Sequence, residues 1–254
     1  MSMQTHLFRC LSDNYGVLVH DPDSGETASI DVPEEAAVRK ALADTGWSLT
    51  HILITHHHND HIGGLEGLKT PDVTVVGPKK DAARISGLDV LVGEGDTFEF
   101  GGENVEVFET PGHTSGHITY YMRNAGLVFA GDTMFTMGCG RLFEGTPADM
   151  WTSLNKITAL PASTKVFCGH EYTLSNARFA VTADPTNEKL KERLAEVEKK
   201  TEQGIPTVPT TVGEELETNP FVRAGTVEVA EAMGLAGESP EKVLAEVRRR
   251  KDSF

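Results

Sequence analysis

The segment THHHNDHIGG, residues 55–64, decides the fold. It continues HILIT, residues 51–55, a short apolar stretch typical of a buried strand. The paired glycines at its end open into a short predicted helix. Polar side chains that follow a strand project from a rigid edge, which is a common position for chemistry. The segment therefore indicates a functional site built on the end of a strand.

The spacing of the polar side chains in this segment predicts metal binding. In an extended chain, alternate side chains point the same way, so His56 and His58 can converge on one ion while His57 faces elsewhere. Asp60 and His61 lie about one turn further on and can address a second ion. Zinc, iron and manganese all accept imidazole and carboxylate ligands, and no cysteine is needed.

Four donors are too few for two ions with an open coordination position, so further ligands must come from elsewhere. Three motifs supply them: His113 in ETPGHTSGH, Asp132 in FAGDT and His170 in FCGHE. Each donor ends a strand or follows it in a glycine-containing turn. Seven donors, with Asp132 as the natural bridge, predict a binuclear site with room for a shared hydroxide.

The remaining histidines lack this context. We expect His117 to lie behind the ligands or in the core, where it would orient the loop of His113. Four others are expected at the surface or in packing roles, namely His6, His20, His51 and His57.

The order of predicted elements favours an α/β (α+β) fold in which two sheets are covered by helices. Strand patterns dominate the first part, and residues 147–160 predict a helix capped by Thr146. After Tyr172 the pattern becomes helical, with helices predicted at 186–203 and from Ser239-Pro240 onward, and a loop at 205–220. We therefore predict a catalytic domain at 1–172 and a helical domain at 173–254.

Composition excludes several classes of protein. The chain has 254 residues, 39% of them hydrophobic, and a formal net charge of −15. Such a charge disfavours nucleic acid and anionic membranes as partners. No secretory signal or apolar run long enough to span a membrane is present, so we expect a cytoplasmic protein. Three cysteines far apart, Cys10, Cys139 and Cys168, predict reduced, buried thiols.

In THHHNDHIGG, TPGHTSGH, FAGDT and CGHE, taken in that order, the sequence resembles the metallo-β-lactamase superfamily. Within it the chain is similar to the glyoxalase II family through GCGRLFEGT (138–146), CGHEYT (168–173), TNPFVR (218–223) and VRRRKDSF (247–254). The resemblance spans nearly the whole chain. It implies an αββα sandwich followed by a helical substrate-binding domain, and metal-dependent hydrolysis of S-(2-hydroxyacyl)glutathione in methylglyoxal detoxification.

The resemblance also implies roles for individual residues. His56, His58 and His113 would hold the first metal ion, and Asp60, His61 and His170 the second, with Asp132 bridging. Zinc is the preferred metal, with iron or manganese as alternatives. Glutathione would be held by five matching residues: Arg141, Phe143, Tyr172, Arg248 and Lys251.

Two features of these substrate residues bear on glutathione binding. Arg248 and Lys251 are three apart on a predicted helix and can meet one carboxylate together, although cations also complement a helix C-terminus. The run of arginines leaves the register open to Arg249. Some relatives have Lys and Tyr in place of Arg141 and Phe143, and Phe143 cannot donate a hydroxyl hydrogen bond.

The chemistry implied is attack on a thioester carbonyl by a hydroxide shared between two metal ions, with Asp60 and Asp132 beside it. S-D-lactoylglutathione would give glutathione and D-lactate, and the enzyme would act as a monomer. Alternatives from the same superfamily are a glutathione persulfide dioxygenase with one iron and a lactonase or β-lactamase. A non-catalytic structural metal module is disfavoured because such sites are usually closed and rich in cysteine.

Overall fold

The computed structural model describes residues 3–254, in which short strands alternate with helices before a mainly helical C-terminal region. The strands are β1 (Gln4–Cys10), β2 (Asn14–His20), β3 (Thr27–Ile30), β4 (His51–Leu53), β5 (Thr74–Pro78), β6 (Val90–Val92), β7 (Thr97–Phe100), β8 (Glu103–Glu109), β9 (Ile118–Met122), β10 (Leu127–Gly131), β11 (Met134–Phe135), β12 (Gly138–Cys139), β13 (Lys165–Cys168) and β14 (Thr210–Thr211). The helices are α1 (Glu35–Thr45), α2 (Asn59–Ile62), α3 (Leu65–Leu68), α4 (Pro147–Thr158), α5 (Thr173–Ala183), α6 (Glu188–Glu202), α7 (Val212–Thr218), α8 (Val227–Met233) and α9 (Pro240–Asp252). The predicted α/β class is confirmed.

The described chain forms two compact units. The first comprises the described residues up to Glu109 together with Gly116–Gly131, and the second comprises Thr110–Ser115 with Asp132–Phe254. The division at residue 172 that the sequence predicts stays a prediction.

A six-stranded sheet in the first unit, ordered β1-β2-β3-β4-β5-β6, positions the histidine segment. The strands from β3 to β6 run parallel, and Leu53 pairs with Ile30 on one side and with Val76 on the other. Because the carboxyl ends of parallel strands meet at one edge of a sheet, the residues that follow β3 and β4 emerge beside each other. This edge carries the segment THHHNDHIGG.

Apolar packing holds that sheet in place. Helix α1 places Val38 and Ala41 in a buried cluster that also contains Leu18, Ile52 and Val75. Burying an aliphatic side chain of this kind contributes roughly 1.5–3 kcal/mol. The strand that leads to the histidines is therefore anchored in the core of its unit.

An antiparallel meander of β7, β8, β9 and β10 completes the strands of the first unit. Tyr120 on β9 is fully buried, and its hydroxyl donates to the carbonyl oxygen of Ile54 at 2.7 Å. Burial raises the pKa of this hydroxyl well above its ordinary value. The meander is thus tied to the chain just after β4.

The second unit contains the hairpin β11–β12, the pair β13–β14 and helices α4 to α9. Helix α4 begins as predicted, because the Thr146 side chain accepts from the backbone N–H of Asp149 in a capping box. Helix α9 also begins at the predicted Pro240.

The prediction of a loop at 205–220 is wrong. This stretch contains β14 and helix α7, which starts with a capping box between Thr211 and Glu214. The Thr-x-x-Glu spacing was present in the sequence, but the prolines and threonines before it obscured it. None of the helices in residues 3–254 combines the length and the apolar character that crossing a membrane requires.

Candidate metal centre

The histidine segment brings two ring nitrogens together within the first unit. His56 is fully buried, and its Nε2 lies 3.1 Å from Nδ1 of His58. Two nitrogens that each lie 2.0–2.1 Å from a tetrahedral zinc ion are separated by about 3.3 Å. The spacing therefore fits two ligands of one ion, as the alternation along the extended segment predicts.

Asp31, just after β3, orients two of the histidines. Its Oδ2 lies 2.7 Å from Nδ1 of His61 and accepts the Thr55 hydroxyl at 2.8 Å, while Oδ1 accepts the Thr55 N–H at 2.7 Å. The Thr55 oxygen in turn lies 3.0 Å from Nδ1 of His56. In this network Nδ1 of both rings carries the proton, so that Nε2 of both is available to a metal.

Asp31 and Thr55 were not among the site residues predicted from the sequence. Asp31 follows the last residue of β3, and its backbone has φ of 53°, a turn conformation that Asp tolerates better than most residues. The position of an Asp at the end of a strand next to β4 was the available signal. To predict the role of Asp31, one would have to know that β3 and β4 are neighbours in the sheet.

Asp60 is held by a further residue that was not predicted from the sequence. Asn14 on β2 is buried, and its side-chain N–H groups donate to the backbone oxygen and to Oδ2 of Asp60 at 3.0 and 3.1 Å. Oδ2 of Asp60 lies 3.6 Å from Nε2 of His61. Both atoms are thus directed toward the same region, as expected for ligands of one ion.

The second unit contributes a carboxylate between two histidines. Oδ2 of Asp132 lies 3.4 Å from Nε2 of His113 and 3.3 Å from Nε2 of His170. Nδ1 of His113 lies 2.9 Å from the backbone oxygen of Arg141, which places the proton on Nδ1 and leaves Nε2 for a metal. All three side chains are buried.

The glycine before Asp132 is required by its surroundings. Gly131 has φ of +48°, and a Cβ at this position would lie 2.6 Å from Nε2 of His117 and 2.8 Å from the Thr55 hydroxyl oxygen. His117 itself is buried, with its ring stacked on that of His56 at 4.9 Å between centroids. His117 thus packs behind a predicted ligand.

The seven predicted donors form two groups, one in each unit. The first unit holds His56, His58, Asp60 and His61. The second unit holds His113, Asp132 and His170. Neutral imidazoles and carboxylates arranged in this way suit a divalent metal ion.

Four other histidines lie outside these groups and make packing or polar contacts. His20 stacks on Trp47 with 4.6 Å between ring centroids, and His51 meets Phe100 edge-on at 5.2 Å. Desolvation lowers the pKa of His51. His6 also lies beside Trp47, and His57 contacts the buried carboxylate of Asp81 at 3.1 Å.

Two of the predicted substrate residues lie against metal-ligand candidates. The ring of Phe143 is 63% exposed and lies 5.2 Å from that of His113. The ring of Tyr172 stacks on His170 at 4.8 Å between centroids. Arg141 is exposed, with its Nε 3.8 Å from a carboxylate oxygen of Asp252.

The cations of helix α9 differ in their exposure. Arg248 is buried, donates to the backbone oxygen of Cys139 at 2.9 Å and pairs with Asp252. Arg249 is exposed and pairs with Glu246 on its own helix. The sequence left open whether Arg248 or Arg249 is the substrate-binding residue. Arg248 is the one that is directed into the interior of the second unit.

Lys251 is half-buried and lies among other cations. Its Nζ donates to the backbone oxygen and hydroxyl of Ser175 at 3.0 and 2.8 Å, and lies 5.5 Å from the ring centroid of Phe179. Desolvation, followed by the charges of Arg248 and Arg141, lowers the pKa of Lys251 to about 8. A fraction of this amine is therefore neutral near physiological pH.

The three cysteines are free and buried, as predicted. Burial raises the pKa of the Cys10 and Cys168 thiols to about 12 and that of Cys139 to about 11. None of them is poised to act as a thiolate nucleophile.

Comparison with known proteins gives matches over nearly the full chain. Residues 23–170 match the family model "Metallo-beta-lactamase superfamily", and residues 171–254 match "Hydroxyacylglutathione hydrolase C-terminus". The chain is 52% identical to a hydroxyacylglutathione hydrolase of Rhizobium meliloti (strain 1021), covering 100% of this chain and 99% of the relative.

A second relative and one solved structure agree with these matches. A hydroxyacylglutathione hydrolase of Rhizobium etli is 51% identical, with 99% of each chain covered. The crystal structure of the BLEG-1 B3 metallo-beta-lactamase is similar in fold, with a TM-score of 0.65 and 23% identity over 86% of this chain and 99% of that one. The predicted fold, two sheets with helices and a C-terminal helical region, is confirmed.

Proposed function

Because the chain belongs to the hydroxyacylglutathione hydrolase family of the metallo-β-lactamase superfamily, we propose that it hydrolyses S-(2-hydroxyacyl)glutathione thioesters. The products are glutathione and a 2-hydroxy acid, and S-D-lactoylglutathione, formed in methylglyoxal detoxification, is the proposed substrate. The observation that carries this proposal is sequence identity. The chain is 52% identical to a hydroxyacylglutathione hydrolase along its whole length, and its C-terminal region matches the family model of those hydrolases.

Seven residues are proposed as metal ligands. His56, His58 and His113 would hold one ion, Asp60, His61 and His170 would hold the other, and the Asp132 carboxylate would be shared by both. The spacings of the ring nitrogens and the Asp132 carboxylate support this division. Two divalent ions bound there would lower the pKa of a shared water to about 7 and so supply hydroxide near neutral pH.

The chain's own residues orient the ligands and complete the chemistry. Asp31 and the Arg141 carbonyl keep protons on the Nδ1 atoms of His61 and His113. Asn14 fixes the Asp60 carboxylate, which we propose orients the shared water or accepts its proton. The leaving thiolate has a conjugate acid with pKa near 8.5, so no strong general acid is needed.

Glutathione binding is proposed at a cationic and aromatic group of five residues. Its members are Arg141, Phe143, Tyr172, Arg248 and Lys251. Arg141 and Lys251 are accessible enough to receive a carboxylate directly, whereas Arg248 is buried beside them and contributes its charge while holding the Cys139 carbonyl. Phe143 offers an apolar surface next to His113.

The test is turnover of S-D-lactoylglutathione by the metal-replete protein, with the release of glutathione followed directly. A lactone, a β-lactam and glutathione persulfide with oxygen-uptake detection are run in parallel. We expect rapid thioester cleavage and little turnover of the others. Oxygen uptake with the persulfide, or faster turnover of the lactone, would overturn the proposal in favour of the corresponding activity.

The residues that bind glutathione can be tested by comparing two cations on one helix. Lys251→Ala is expected to raise KM for the thioester roughly tenfold, since a hydrogen bond to a charged group contributes about 1.5 kcal/mol or more. Arg249→Ala is the matched control, because Arg249 lies two residues away and its side chain pairs with Glu246 on its own helix. Equal effects of the two substitutions would argue against the proposed binding site.

Metal identity and oligomeric state complete the proposal. We propose zinc in both sites, with iron or manganese as alternatives that elemental analysis of the purified protein would reveal. A monomer is the proposed state, and its test is the mass measured by light scattering during size-exclusion chromatography.

A further inference from the structure

Side chains from the helices that follow residue 171 bind the backbone of the hairpin β11–β12. Asn176 on α5 donates to the carbonyl oxygen of Thr136 at 3.1 Å. Arg248 on α9 donates to the carbonyl oxygen of Cys139 at 2.9 Å. Both acceptors are buried, so each bond replaces one that water would otherwise make.

Two residues of α7 and its C-terminal cap complete this set of bonds. Asn219 donates to the carbonyl oxygens of Phe135 and Gly138 at 3.3 and 2.9 Å. Glu215 accepts the backbone N–H of Met137 at 2.8 Å. Each residue from 135 to 139 therefore has a backbone group bound by a side chain of the helical region. We call Asn176, Glu215, Asn219 and Arg248 the hairpin cradle.

Within the cradle, Glu215 binds both the hairpin and Asn219. Its carboxylate is fully buried and, besides Met137, accepts from Arg193 at 2.8 Å, from the Thr210 hydroxyl at 2.7 Å and from Asn219 at 2.9 Å. A buried carboxylate is tolerated when it is paired and its oxygens accept several hydrogen bonds. The acceptor that fixes Met137 is thus itself fixed from α6, β14 and α7.

One end of the hairpin leads to a proposed metal ligand, and the other leads to a residue that orients a second ligand. Asp132 lies two residues before β11, and Arg141 lies two residues after β12. The carbonyl oxygen of Arg141 accepts a hydrogen bond from Nδ1 of His113. Gly140 passes so close to Asp132 that a Cβ at residue 140 would lie 2.0 Å from the Asp132 backbone oxygen. A displacement of the hairpin would therefore move both Asp132 and the carbonyl that orients His113.

We propose that the hairpin cradle positions the metal ligands Asp132 and His113, so that the helical region contributes to metal affinity as well as to substrate binding. The inference rests on the metal centre of the proposed function. Asn176, Glu215 and Asn219 act as positioning residues, because they touch the hairpin and not the ligands. The cradle explains why a helical region proposed to bind glutathione also binds the hairpin between Asp132 and Arg141.

The experiment compares Asn176→Ala and Asn219→Ala with wild type in the full-length protein. Metal affinity is measured by competition with a chromophoric zinc chelator, without any substrate. Substituting a residue that orients a metal ligand typically weakens metal affinity 10–100-fold. We expect about tenfold weaker zinc binding for each variant, because these residues act on the ligands through the hairpin. At limiting zinc, kcat should fall while KM for the thioester stays unchanged, and excess zinc should restore kcat.

Asn187→Ala is the matched control. Asn187 lies in the same helical region and makes two side-chain N–H donations, to Asp184 and to the Glu217 carbonyl, away from the hairpin. It should lose thermal stability and keep wild-type zinc affinity. Equal zinc affinities in wild type and the three variants would overturn the proposed role of the cradle, whatever their melting temperatures.

The readouts separate this inference from the proposed function. A wild type that binds zinc tightly without cleaving the thioester would overturn the proposed substrate, and the zinc competition would still test the cradle. A wild type that cleaves the thioester, with variants of unchanged zinc affinity, would overturn the cradle alone. A wild type that binds no metal would overturn both.

Discussion

At the scale of the residue, the tautomers of His56 and His61 are set by Asp31 and Thr55, neither of which is a proposed ligand. A histidine that binds a metal through one ring nitrogen almost always donates the N–H of the other nitrogen to an acceptor. Asp31 does this for His61 directly and for His56 through Thr55. Because one carboxylate serves two rings, a change at Asp31 should affect more than one ligand.

We expect Asp31→Asn to weaken metal binding 10–100-fold, as is typical for partners of metal-bound histidines. The amide keeps the size of the carboxylate but can present an N–H where His61 needs an acceptor. Zinc competition on the purified protein measures the effect. Asp21→Asn is a control, since Asp21 is also buried but accepts from Ser24 in a turn. Unchanged zinc affinity in Asp31→Asn would contradict the assigned role.

Lys251 introduces a pH dependence at the same scale. Its pKa is lowered to about 8 by desolvation and by Arg248 and Arg141, so the amine loses its charge as the pH rises through 8. Binding of an anionic substrate should therefore weaken above pH 8, with KM rising roughly tenfold by pH 9.5. Asp252 is the acidic neighbour that opposes the shift.

The variant Lys251→Arg distinguishes the titration of Lys251 from that of other groups, because arginine stays charged between pH 7 and 9.5. Its KM should vary less between pH 7 and 9.5 than that of wild type. KM values measured at fixed saturating zinc over that range provide the check. A wild-type profile that rises identically in Lys251→Arg would assign the titration to another group.

At the scale of the element, the sequence predicted those parts of the fold that local patterns determine. The strand before His56, helix α4 with its Thr146 cap and helix α9 after Ser239 follow from periodicity and capping. Helix α7 was missed because its capping box stands in a proline- and threonine-rich stretch.

The partners of the ligands were missed for another reason. Asp31 reaches Thr55 and His61 only because β3 and β4 are parallel neighbours, and Asn219 reaches Gly138 across 81 residues of chain. The ligand residues lie in short motifs that can be recognised in the sequence. The residues that orient them are far away in the sequence, and only the folded structure brings them into contact.

The capping box of α7 provides a prediction for an element. Thr211→Ala removes the acceptor for the Glu214 N–H and should lower the free energy of unfolding by about 1 kcal/mol. Urea titration followed by circular dichroism measures it. Thr158→Ala, at the exposed C-terminal end of α4, is the control and should change stability by less than about 0.5 kcal/mol. A cost for Thr211→Ala no larger than that of the control would argue against the cap.

At the scale of the whole molecule, the proposed ligands come from segments spread between residues 56 and 170, so metal binding should stabilise the folded chain as a whole. A ligand that binds only the folded state at 100 times its dissociation constant adds about 2.7 kcal/mol to the free energy of unfolding. For a protein of this size, 1 kcal/mol corresponds to roughly 2–4 °C in Tm. Removing the metal should therefore lower Tm by about 5–10 °C.

Calorimetry of the protein before and after dialysis against a chelator tests this expectation, and added zinc should restore both Tm and thioester cleavage. His58→Ala should show a smaller shift with zinc than wild type, because it lacks one proposed ligand. His20→Ala should show the full shift, because His20 stacks on Trp47. If chelation abolishes activity but leaves Tm unchanged, the metal is bound too weakly to link the segments. The ligands must then be held in place by the hydrogen bonds of Asp31, Asn14 and the hairpin cradle alone.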